Sequence, residues 1–329
     1  MNGEKITVVI PAYNIAPWIA RSLDSLLAQT CKDLEIIVVD DGSGDGIKEI
    51  LTQYTGKYPN VRAVYKENGG VTSARLRGVS EATGNWIAFM DGDDYVEPQM
   101  YARLLELAKN YDAEIAHCSH RICFADGRVE LVHQSEEILR QDRMSGLKTL
   151  LDNRVFSMSL CTKLYSRRLF EGLDDWMDSS IKNNEDLLMN YYLFSKAEQT
   201  VYEGNCPYHY ILREGSASNR GITERIIFDP IRVREVLLQR CDAEMYDSVK
   251  QSILRNLLFS YGMLTVNREC RPMKEVRRKV RVLLQKERAS FHLLSLRNKV
   301  LAHMICVAPW SFRIAYTIYV KLFQREQTH

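Results

Sequence analysis

The chain has 329 residues, of which 46% are hydrophobic and 26% are charged. This composition is ordinary for a globular protein, and the length is enough for one large domain with an appendage. None of the eight cysteines forms a C-x-x-C pair, which argues against a zinc site and against a disulfide framework.

The formal net charge of +2 is unevenly distributed. Residues 221–329 hold 20 of the 44 basic residues and only 10 of the 42 acidic ones, so residues 1–220 are acidic. An acidic body with a basic tail predicts two different partners, and we expect no nucleic acid among them. The first apolar run, Ile6–Ile10, is too short for the core of a secretion signal. We therefore expect a cytoplasmic protein whose cysteines stay reduced.

Strands and helices alternate over the first hundred residues. Short runs of β-branched residues predict strands, and apolar residues at helical spacing predict helices. In chain order, the predicted elements are a strand at Ile6–Ile10, a helix at Pro17–Gln29, a strand at Leu34–Val39, a helix from the cap Asp45 to about Tyr54, a strand at Val61–Tyr65, a helix at Gly70–Ala82 and a strand at Trp86–Met90. This alternation predicts an α/β fold with a mostly parallel central sheet and helices on both faces.

The pattern loosens after Pro98. The predicted elements there are a helix at Pro98–Asn110, a strand at Ala113–Cys118, a hairpin around Asp126-Gly127, a helix at Ser145–Asp152, a strand at Leu160–Tyr165, a helix at Glu185–Ser195 capped by Asn183 or Asn184, and strands at Val201–Glu203 and Tyr208–Leu212. Beyond Gly221 almost every segment has a helical period, so we place a domain boundary near residue 220 and expect residues 221–329 to be helical and basic.

Three carboxylates, those of Asp91, Asp93 and Asp94, follow the predicted strand Trp86–Met90. Like charges this close repel one another, and a divalent cation offsets the repulsion. Mn²⁺ or Mg²⁺ takes hard oxygen ligands and is often shared with a diphosphate. On its own the segment also fits a solvated acidic turn.

Polar residues follow all four strands of the first half, at Pro11–Asn14, Asp40–Ser43, Lys66–Gly70 and Asp91–Asp94. In a parallel sheet these carboxyl ends share one edge, where ligands bind. The chain has no G-x-G-x-x-G after the first strand and no G-x-x-x-x-G-K-[ST], which argues against a nicotinamide cofactor and against a P-loop hydrolase.

These motifs have a recognisable order along the chain. They are Ile10-Pro11-Ala12-Tyr13-Asn14, Val39-Asp40-Asp41-Gly42-Ser43, Asn68-Gly69-Gly70, Ser73-Ala74-Arg75, Asp91-Gly92-Asp93-Asp94, Asn184-Glu185-Asp186 and the segment from Tyr208 to Ser216. Over residues 5–218 the set resembles the family-two inverting glycosyltransferases of GT-A fold, of the type that builds bacterial surface polysaccharides. One departure is Leu76, where many members have Asn, and it puts the details of the loop around Arg75 in doubt.

The resemblance implies a catalytic domain at 1–220, with a nucleotide-sugar-binding half at 1–98 and an acceptor-binding half at 99–220. Tyr13 would stack on a uracil base and Asp41 would accept its imide proton, and Pro11 and Asn14 belong to the same site. Asp91 would contact the ribose or a metal-bound water. Arg75 would reach a phosphate, while Arg213 and Ser216 would close over the diphosphate. Each of these roles has an alternative. Tyr13 also fits a packing aromatic, Asp41 a turn residue and Arg75 a surface ion pair.

The resemblance also implies a metal and a base. Asp93 would be the direct ligand of Mn²⁺ or Mg²⁺, with Asp91 beside it. His209 is a candidate for completing the metal shell, although a histidine in such a strand is as often a packed core residue. Asp186 would be the general base, because the start of a helix favours an ionised carboxylate. Glu185 is the other candidate for the base, and both acids also fit a purely structural helix start.

The implied function is transfer of a hexosyl or N-acetylhexosaminyl group from a UDP-sugar to a lipid-linked or polysaccharide acceptor. Capsule, exopolysaccharide and lipopolysaccharide assembly at the inner face of the cell membrane are examples. A processive polymerase would carry Q-x-x-R-W, which the chain lacks at Gln239–Ala243. A sugar nucleotidyltransferase would need a glycine-rich loop, and Pro11–Pro17 contains no glycine. A catalytically silent scaffold that binds carbohydrate or membrane is the alternative outside enzymes, and donor hydrolysis would distinguish it.

The tail combines basic and apolar stretches. Nine cations are counted between Lys274 and Lys299, and Val300–Phe312 has no formal charge and is interrupted by Pro309. An apolar stretch this short does not span a membrane, which takes about 20 residues. Basic residues beside apolar and aromatic ones predict peripheral contact of residues 271–323 with anionic lipid. The alternatives are a helical subdomain packed on the catalytic domain and a homodimer interface.

Overall fold

The computed structural model describes residues 4–213 and 221–323. The chain divides into two compact units, residues 1–220 and residues 221–329. Across the described ranges, every helix falls short of the length and apolar character that crossing a membrane requires.

The first unit is built on one ten-stranded sheet. Its strands are β1 (Ile6–Ala12), β2 (Leu34–Asp40), β3 (Val61–Tyr65), β4 (Trp86–Phe89), β5 (Tyr95–Val96), β6 (Ile115–Phe124), β7 (Val129–Val132), β8 (Ile138–Asp142), β9 (Lys163–Ser166) and β10 (Gln199–Leu212). The order across the sheet is β3-β2-β1-β4-β9-β6-β10-β5, with β7 paired to β6 and β8 paired to β10.

The first four strands of the chain are parallel, as the sequence pattern predicts. Ile6 on the central β1 lies opposite both Leu34 on β2 and Trp86 on β4, so the three strands run in step. Ala12 lies opposite Asp40, which brings the ends of β1 and β2 to the same level. Strands β1 and β2 are buried along almost their whole length, which explains their continuous apolar runs.

Beyond β4 the sheet is mixed. Strand β9 runs antiparallel to both β4 and β6, whereas β10 runs parallel to β6 and antiparallel to β5 and β8. Strand β10 is one element of 14 residues. Its register against β6 shifts between Glu203 and Tyr208, which explains why the sequence pattern reads as two short strands.

The described part of the first unit also contains a 3-10 helix at Arg167–Phe170 and seven α-helices. The α-helices are α1 (Ala16–Leu27), α2 (Ile47–Lys57), α3 (Val71–Glu81), α4 (Met100–Asn110), α5 (Arg143–Asp152), α6 (Leu173–Trp176) and α7 (Glu185–Lys196). Helix α2 begins after Gly46 and not at the predicted cap Asp45, whose Oδ2 accepts a hydrogen bond from Ala16 N at 2.7 Å. The residue before α7 is Asn184, as predicted, but it has a positive φ of 68° and its side chain makes no cap hydrogen bond.

Two glycines allow close packing beside the sheet edge. A Cβ atom at Gly78 of α3 would lie 2.2 Å from Val9 Cγ1 on β1, so this helix can reach the sheet only without a side chain there. A Cβ at Gly92 would lie 2.3 Å from Ile15 Cδ1. The acidic turn after β4 is therefore held against the start of α1.

The second unit is helical, with α8 (Glu224–Arg240), α9 (Tyr246–Val266), α10 (Lys274–Lys286), α11 (Leu296–Val307) and α12 (Pro309–Phe323). It has its own apolar core around α9. The basic helix α10 contributes Val276, Val280 and Leu284 to that core, four residues apart on one face. The described fold of the tail is thus a packed bundle of helices.

Candidate active site

A cavity of about 620 Å³ opens where β1, β2 and β4 end and α7 begins. It is lined by most of the residues that the sequence singles out: Pro11, Tyr13, Asn14, Asp41, Arg75, Asp91, Asp93, Glu185, Asp186 and Arg213. Ser216 lies outside the described residues. The cavity therefore joins residues from both halves of the first unit.

Asp41, at the end of β2, holds the glycine-rich loop. Its carboxylate accepts hydrogen bonds from the backbone N–H groups of Gly69 (2.9 Å) and Gly70 (2.7 Å) and from Lys66 Nζ (2.6 Å). An ionised carboxylate has about four acceptor positions, so three donors leave room for one more. Asp41 thus combines a structural role with a position on the cavity wall.

Asn14, at the end of β1, connects the first two strands. Its backbone N–H donates to Ser43 Oγ at 3.0 Å, and its side-chain Oδ1 accepts from Gly44 N at 3.0 Å. Its φ of 53° is one that asparagine tolerates better than most residues. The neighbouring Tyr13 is 53% exposed, so its ring is accessible to a ligand at the cavity mouth.

Arg75 is buried among carboxylates. Its Nη1 donates to Asp186 Oδ1 at 2.6 Å, and its Nη2 donates to Asp91 Oδ1 at 3.1 Å. Glu185 Oε1 lies 3.5 Å from the same Nη1. Burial disfavours the charged guanidinium, but Asp186 and Asp91 outweigh this effect and raise the pKa of Arg75. The sequence predicted a phosphate contact, whereas the structure pairs Arg75 with the candidate base and with the acidic turn.

Glu185 and Asp186 occupy different environments at the first turn of α7. Burial and the adjacent Asp186 carboxylate together raise the pKa of Glu185 to about 7, although Arg75 opposes the rise. Asp186 receives the short contact from Arg75, and 26% of its side chain is exposed, against 13% for Glu185. Asp186 is thus the more accessible carboxylate of the pair.

Replacing Glu185 with Gln is expected to change how stability depends on pH. The pKa of Glu185 in the folded protein, about 7, is above its ordinary value of 4.5. Its stabilising contribution is therefore complete below about pH 4.5 and is lost as the pH rises through about 7. The pKa difference corresponds to about 3 kcal/mol at most. Between pH 5 and pH 8, urea unfolding should show a smaller loss of stability in Glu185→Gln than in the wild type.

The control for this experiment is Glu130→Gln, which removes an exposed carboxylate on β7. Its free energy of unfolding should follow that of the wild type across the same pH range. If the free energy of unfolding of Glu185→Gln also changes with pH as much as that of the wild type, Glu185 does not gain a proton on folding.

The three aspartates after β4 differ sharply in burial. Asp91 and Asp93 have 39% and 20% of their side chains exposed, whereas Asp94 is 1% exposed. Asp94 Oδ2 accepts from the Tyr208 hydroxyl (2.6 Å), and Oδ1 accepts from Ile211 N (2.8 Å). Burial and the Asp91 charge raise the pKa of Asp94. Asp94 therefore fastens the acidic turn to β10, while Asp91 and Asp93 face the cavity.

Arg213, the last described residue before the gap at 214–220, covers Asp93. Its Nε and Nη2 both donate to Asp93 Oδ2, at 2.8 and 2.7 Å. Its guanidinium carbon lies 3.8 Å from the centroid of the Trp18 ring on α1. Cation–π stacking of this kind favours one position of the guanidinium, which is held at the cavity wall.

His209 lies on the opposite face of β10 from Tyr208. Its ring stacks on Tyr95, with centroids 4.1 Å apart, and its Nε2 is 3.5 Å from Glu97 Oε1. Side chains alternate along a strand, so Tyr208 points to Asp94 while His209 points away. The structure thus separates His209 from Asp91 and Asp93, and it does not bring the predicted third metal ligand to them.

Lys182 and Trp18 were not predicted as site residues, and Asn68 was named only as part of the Asn68-Gly69-Gly70 motif. Lys182 and Asn68 line the cavity, and Trp18 carries the Arg213 guanidinium. Lys182 lies only three residues before Glu185, so the sequence alone indicates a cation close to the acidic pair. Trp18 sits at a helical apolar position, which the pattern alone assigns to the core.

The described residues contain no cluster of three or more His, Cys, Asp or Glu side chains suited to a metal ion. Mg²⁺ in nucleotide sites needs fewer, because one or two carboxylates suffice when phosphates and waters supply the other oxygens. Asp91 and Asp93 both line the cavity and provide such carboxylates. The residues present therefore fit a divalent cation that is shared with a diphosphate.

A family model described as glycosyl transferase family 2 matches residues 7–173, which is half of the chain. The chain belongs to glycosyl transferase family 2. The matched range includes the glycine-rich loop, Arg75 and the whole acidic turn.

Relatives of known name agree with this assignment. Glycosyltransferase EpsJ of Bacillus subtilis is 36% identical over 197 residues, which are 59% of this chain and 57% of EpsJ. The succinoglycan biosynthesis protein ExoO of Rhizobium meliloti is 30% identical over 219 residues, 65% of this chain and 62% of ExoO. The chain thus matches less than two thirds of the length of each relative.

A solved structure covers more of the chain. The crystal structure of residues 1–349 of Staphylococcus aureus TarS, in complex with UDP-GlcNAc, has a TM-score of 0.75 with 19% sequence identity. It covers 96% of this chain and 92% of the TarS chain. At this identity the comparison supports the GT-A fold, with a helical C-terminal region.

Proposed function

We propose that this glycosyltransferase is inverting and metal-dependent, and that it moves one hexosyl or N-acetylhexosaminyl group from a UDP-sugar to an acceptor hydroxyl. One observation carries the proposal. The carboxylate of Asp186 and the carboxylates of Asp91 and Asp93 line the same cavity, so a base and a pair of cation-binding carboxylates would face one substrate.

A UDP-sugar fits the arrangement of polar groups around the cavity. Tyr13 offers an exposed ring for the base, and Asp41 keeps an acceptor position for an imide proton. The UDP-GlcNAc complex of TarS supports this choice of donor, because that protein has the same fold. The cationic Arg213 and Lys182 lie at the wall where a diphosphate would bind.

In the proposed reaction Asp186 removes the proton of the acceptor hydroxyl. The hydroxyl oxygen forms a bond to the anomeric carbon, the bond from that carbon to the diphosphate oxygen breaks, and UDP leaves on the opposite face. Arg75 Nη1 donates to Asp186 Oδ1 at 2.6 Å and holds that carboxylate at the cavity wall. A base that is already in position accepts the proton without first rearranging.

Asp93 and Asp91 would hold Mn²⁺ or Mg²⁺. When bound, such a cation offsets the charge that develops on the departing diphosphate. Arg213 would add a positive charge from the β10 side, where it already contacts Asp93. Buried Asp94 and distant His209 would take no part in binding the cation.

The acceptor is proposed to be lipid-linked or polysaccharide, and the reaction to take place at the inner face of the cytoplasmic membrane. The name of ExoO, a succinoglycan biosynthesis protein, supports a role in polysaccharide assembly. A homodimer formed through the second unit is the competing proposal for the tail.

A thermal-shift panel tests the donor. UDP-glucose, UDP-N-acetylglucosamine, GDP-mannose and CMP-sialic acid would each be added with Mn²⁺ at the same concentration. A donor present at 100 times its Kd should stabilise the protein by about 2.7 kcal/mol. We expect UDP-sugars to raise the Tm and the others to have no effect. Stabilisation by a GDP- or CMP-sugar instead would contradict the proposed donor.

A further inference from the structure

Helices α11 and α12 each expose three large apolar side chains. On α11 these are Leu296, Val300 and Val307, and on α12 they are Trp310, Ile314 and Ile318; we call these six residues the outer stripe. Each is more than half exposed, and Leu296 and Trp310 reach 80% and 69%. The spacing of three to four residues on α12 places its members on one side of that helix. On α11 the polar His303 lies between Val300 and Val307.

The same two helices also contribute to the core of the second unit. Ala302, Ile305 and Cys306 of α11 and Phe312 of α12 are buried there. The helices are therefore apolar on two sides, whereas a surface helix of a water-soluble domain is polar on its outer side. Large apolar side chains that recur at exposed positions along two consecutive helices indicate an interaction surface.

The charges around the outer stripe indicate the partner. Residues 288–325 contain no Asp or Glu and six cations: Arg288, Arg297, Lys299, Arg313, Lys321 and Arg325. Arg297 and Arg313 are exposed and stand next to Leu296 and Ile314 in the chain. Apolar and aromatic side chains flanked only by cations complement a surface that is anionic outside and apolar just below.

We propose that the outer stripe inserts into the headgroup region of an anionic lipid bilayer, with Trp310 at its centre and Arg297 and Arg313 against lipid phosphates. This assigns the membrane contact to α11 and α12. The basic helix α10 packs its apolar face into the core, and one of its cations, Arg278, is paired with Glu275. The inference does not rest on the proposed donor chemistry, since it uses residues of the second unit alone.

Vesicle co-sedimentation of the full chain tests the proposal. The vesicles are phosphatidylcholine with or without phosphatidylglycerol. We expect binding only to the anionic vesicles, and a loss of about tenfold or more in the double variant Trp310→Glu/Ile314→Glu, which places charge where apolar side chains insert. The matched control is Val129→Glu/Leu131→Glu, which adds the same charge at exposed apolar positions of β7.

The cations supply a second, salt-sensitive part of the binding. Arg297→Gln/Arg313→Gln should weaken binding about fivefold for each arginine removed at low salt, which is the worth of one cation near an anionic surface. This variant should also lose less binding than the wild type when salt is raised. The fraction that stays bound in the wild type at high salt measures insertion of the outer stripe.

Trp310 provides a direct readout of insertion. Its emission should shift to the blue on addition of phosphatidylglycerol vesicles, and the shift should be absent in Trp310→Phe, which keeps the other three tryptophans. Equal binding by Trp310→Glu/Ile314→Glu and by the β7 control would overturn the proposal. So would light scattering that shows a wild-type dimer and a monomeric Trp310→Glu/Ile314→Glu variant, because a second copy would then cover the stripe.

Discussion

Replacing Asp186 with Asn is expected to lower kcat by about 10²-fold to 10⁴-fold, the range that general base catalysis contributes. The affinity for UDP should stay within about threefold, because Asn keeps the size of the side chain and the proposed role of Asp186 lies in proton removal. Calorimetry with UDP and a turnover assay on the same preparation separate the two effects. Arg75 keeps Asp91 and Glu185 as partners in this variant, so the cavity wall should stay in place.

Glu185→Gln is the matched control for Asp186→Asn. The two changes are isosteric and adjacent on α7, and Glu185 is the more buried carboxylate. We expect Glu185→Gln to keep turnover within about tenfold of the wild type, on the scale of an indirect effect through Arg75. An inactive Glu185→Gln beside an active Asp186→Asn would assign the base to Glu185.

Replacing Asp93 with Ala should remove the dependence of UDP binding on the divalent cation. In the wild type we expect Mn²⁺ to strengthen UDP binding at least tenfold over EDTA, which is about 1.4 kcal/mol. In Asp93→Ala the two affinities should be equal and sugar transfer should be abolished, since only Asp91 remains to hold the cation. Calorimetry in Mn²⁺ and in EDTA measures both quantities.

The ion pair between Asp93 and Arg213 requires its own control. Asp93→Ala also frees Arg213, so a change in UDP affinity has two sources. Arg213→Gln removes the pair from the other side and leaves the carboxylate in place. It should bind UDP more weakly in both Mn²⁺ and EDTA while the ratio between the two stays as in the wild type. Equal UDP affinities in Mn²⁺ and in EDTA for Arg213→Gln would contradict the role given to Asp93. So would a wild-type ratio of these two affinities in Asp93→Ala.

The parallel half of the sheet was predictable because local signals determine it. The apolar runs of β1, β2 and β4 mark the strands, and their parallel register brings the polar ends to one edge. Asp41, Asp91 and Asp93 could therefore be placed at the cavity from their positions alone. The antiparallel strand β9 and the short β8 lie outside this alternation, and they depend on pairings that the sequence pattern does not encode.

Contacts between distant segments could not be predicted. Arg75 and Asp186 are 111 residues apart in the chain, and their ion pair depends on how α3 and α7 are packed. The sequence places Arg75 near a glycine-rich loop, which suggested a phosphate. The side of β10 on which His209 lies was in principle readable from its alternation with Tyr208 and Tyr210. His209 was proposed as a metal ligand because of its residue type, and the face of the strand on which it lies was not considered.

In the tail, the sequence predicted a lipid contact for residues 271–323, and this contact stays a prediction. The sequence pointed both to the cations of α10 and to the uncharged apolar segment after Val300, and the structure shows exposed apolar side chains on α11 and α12. Periodicity in these helices is weak because both of their sides are apolar, so only the packed bundle distinguishes the inner side from the outer stripe.

The most direct test of the proposed mechanism is the anomeric configuration of the product. UDP-α-glucose and UDP-α-N-acetylglucosamine would be incubated with the protein, Mn²⁺ and methanol as a surrogate acceptor. Proton NMR then identifies the methyl glycoside, which cannot interconvert between anomers. Inversion with Asp186 as the base predicts the methyl β-glycoside, formed by the wild type and lost in Asp186→Asn. Formation of the methyl α-glycoside would contradict the account.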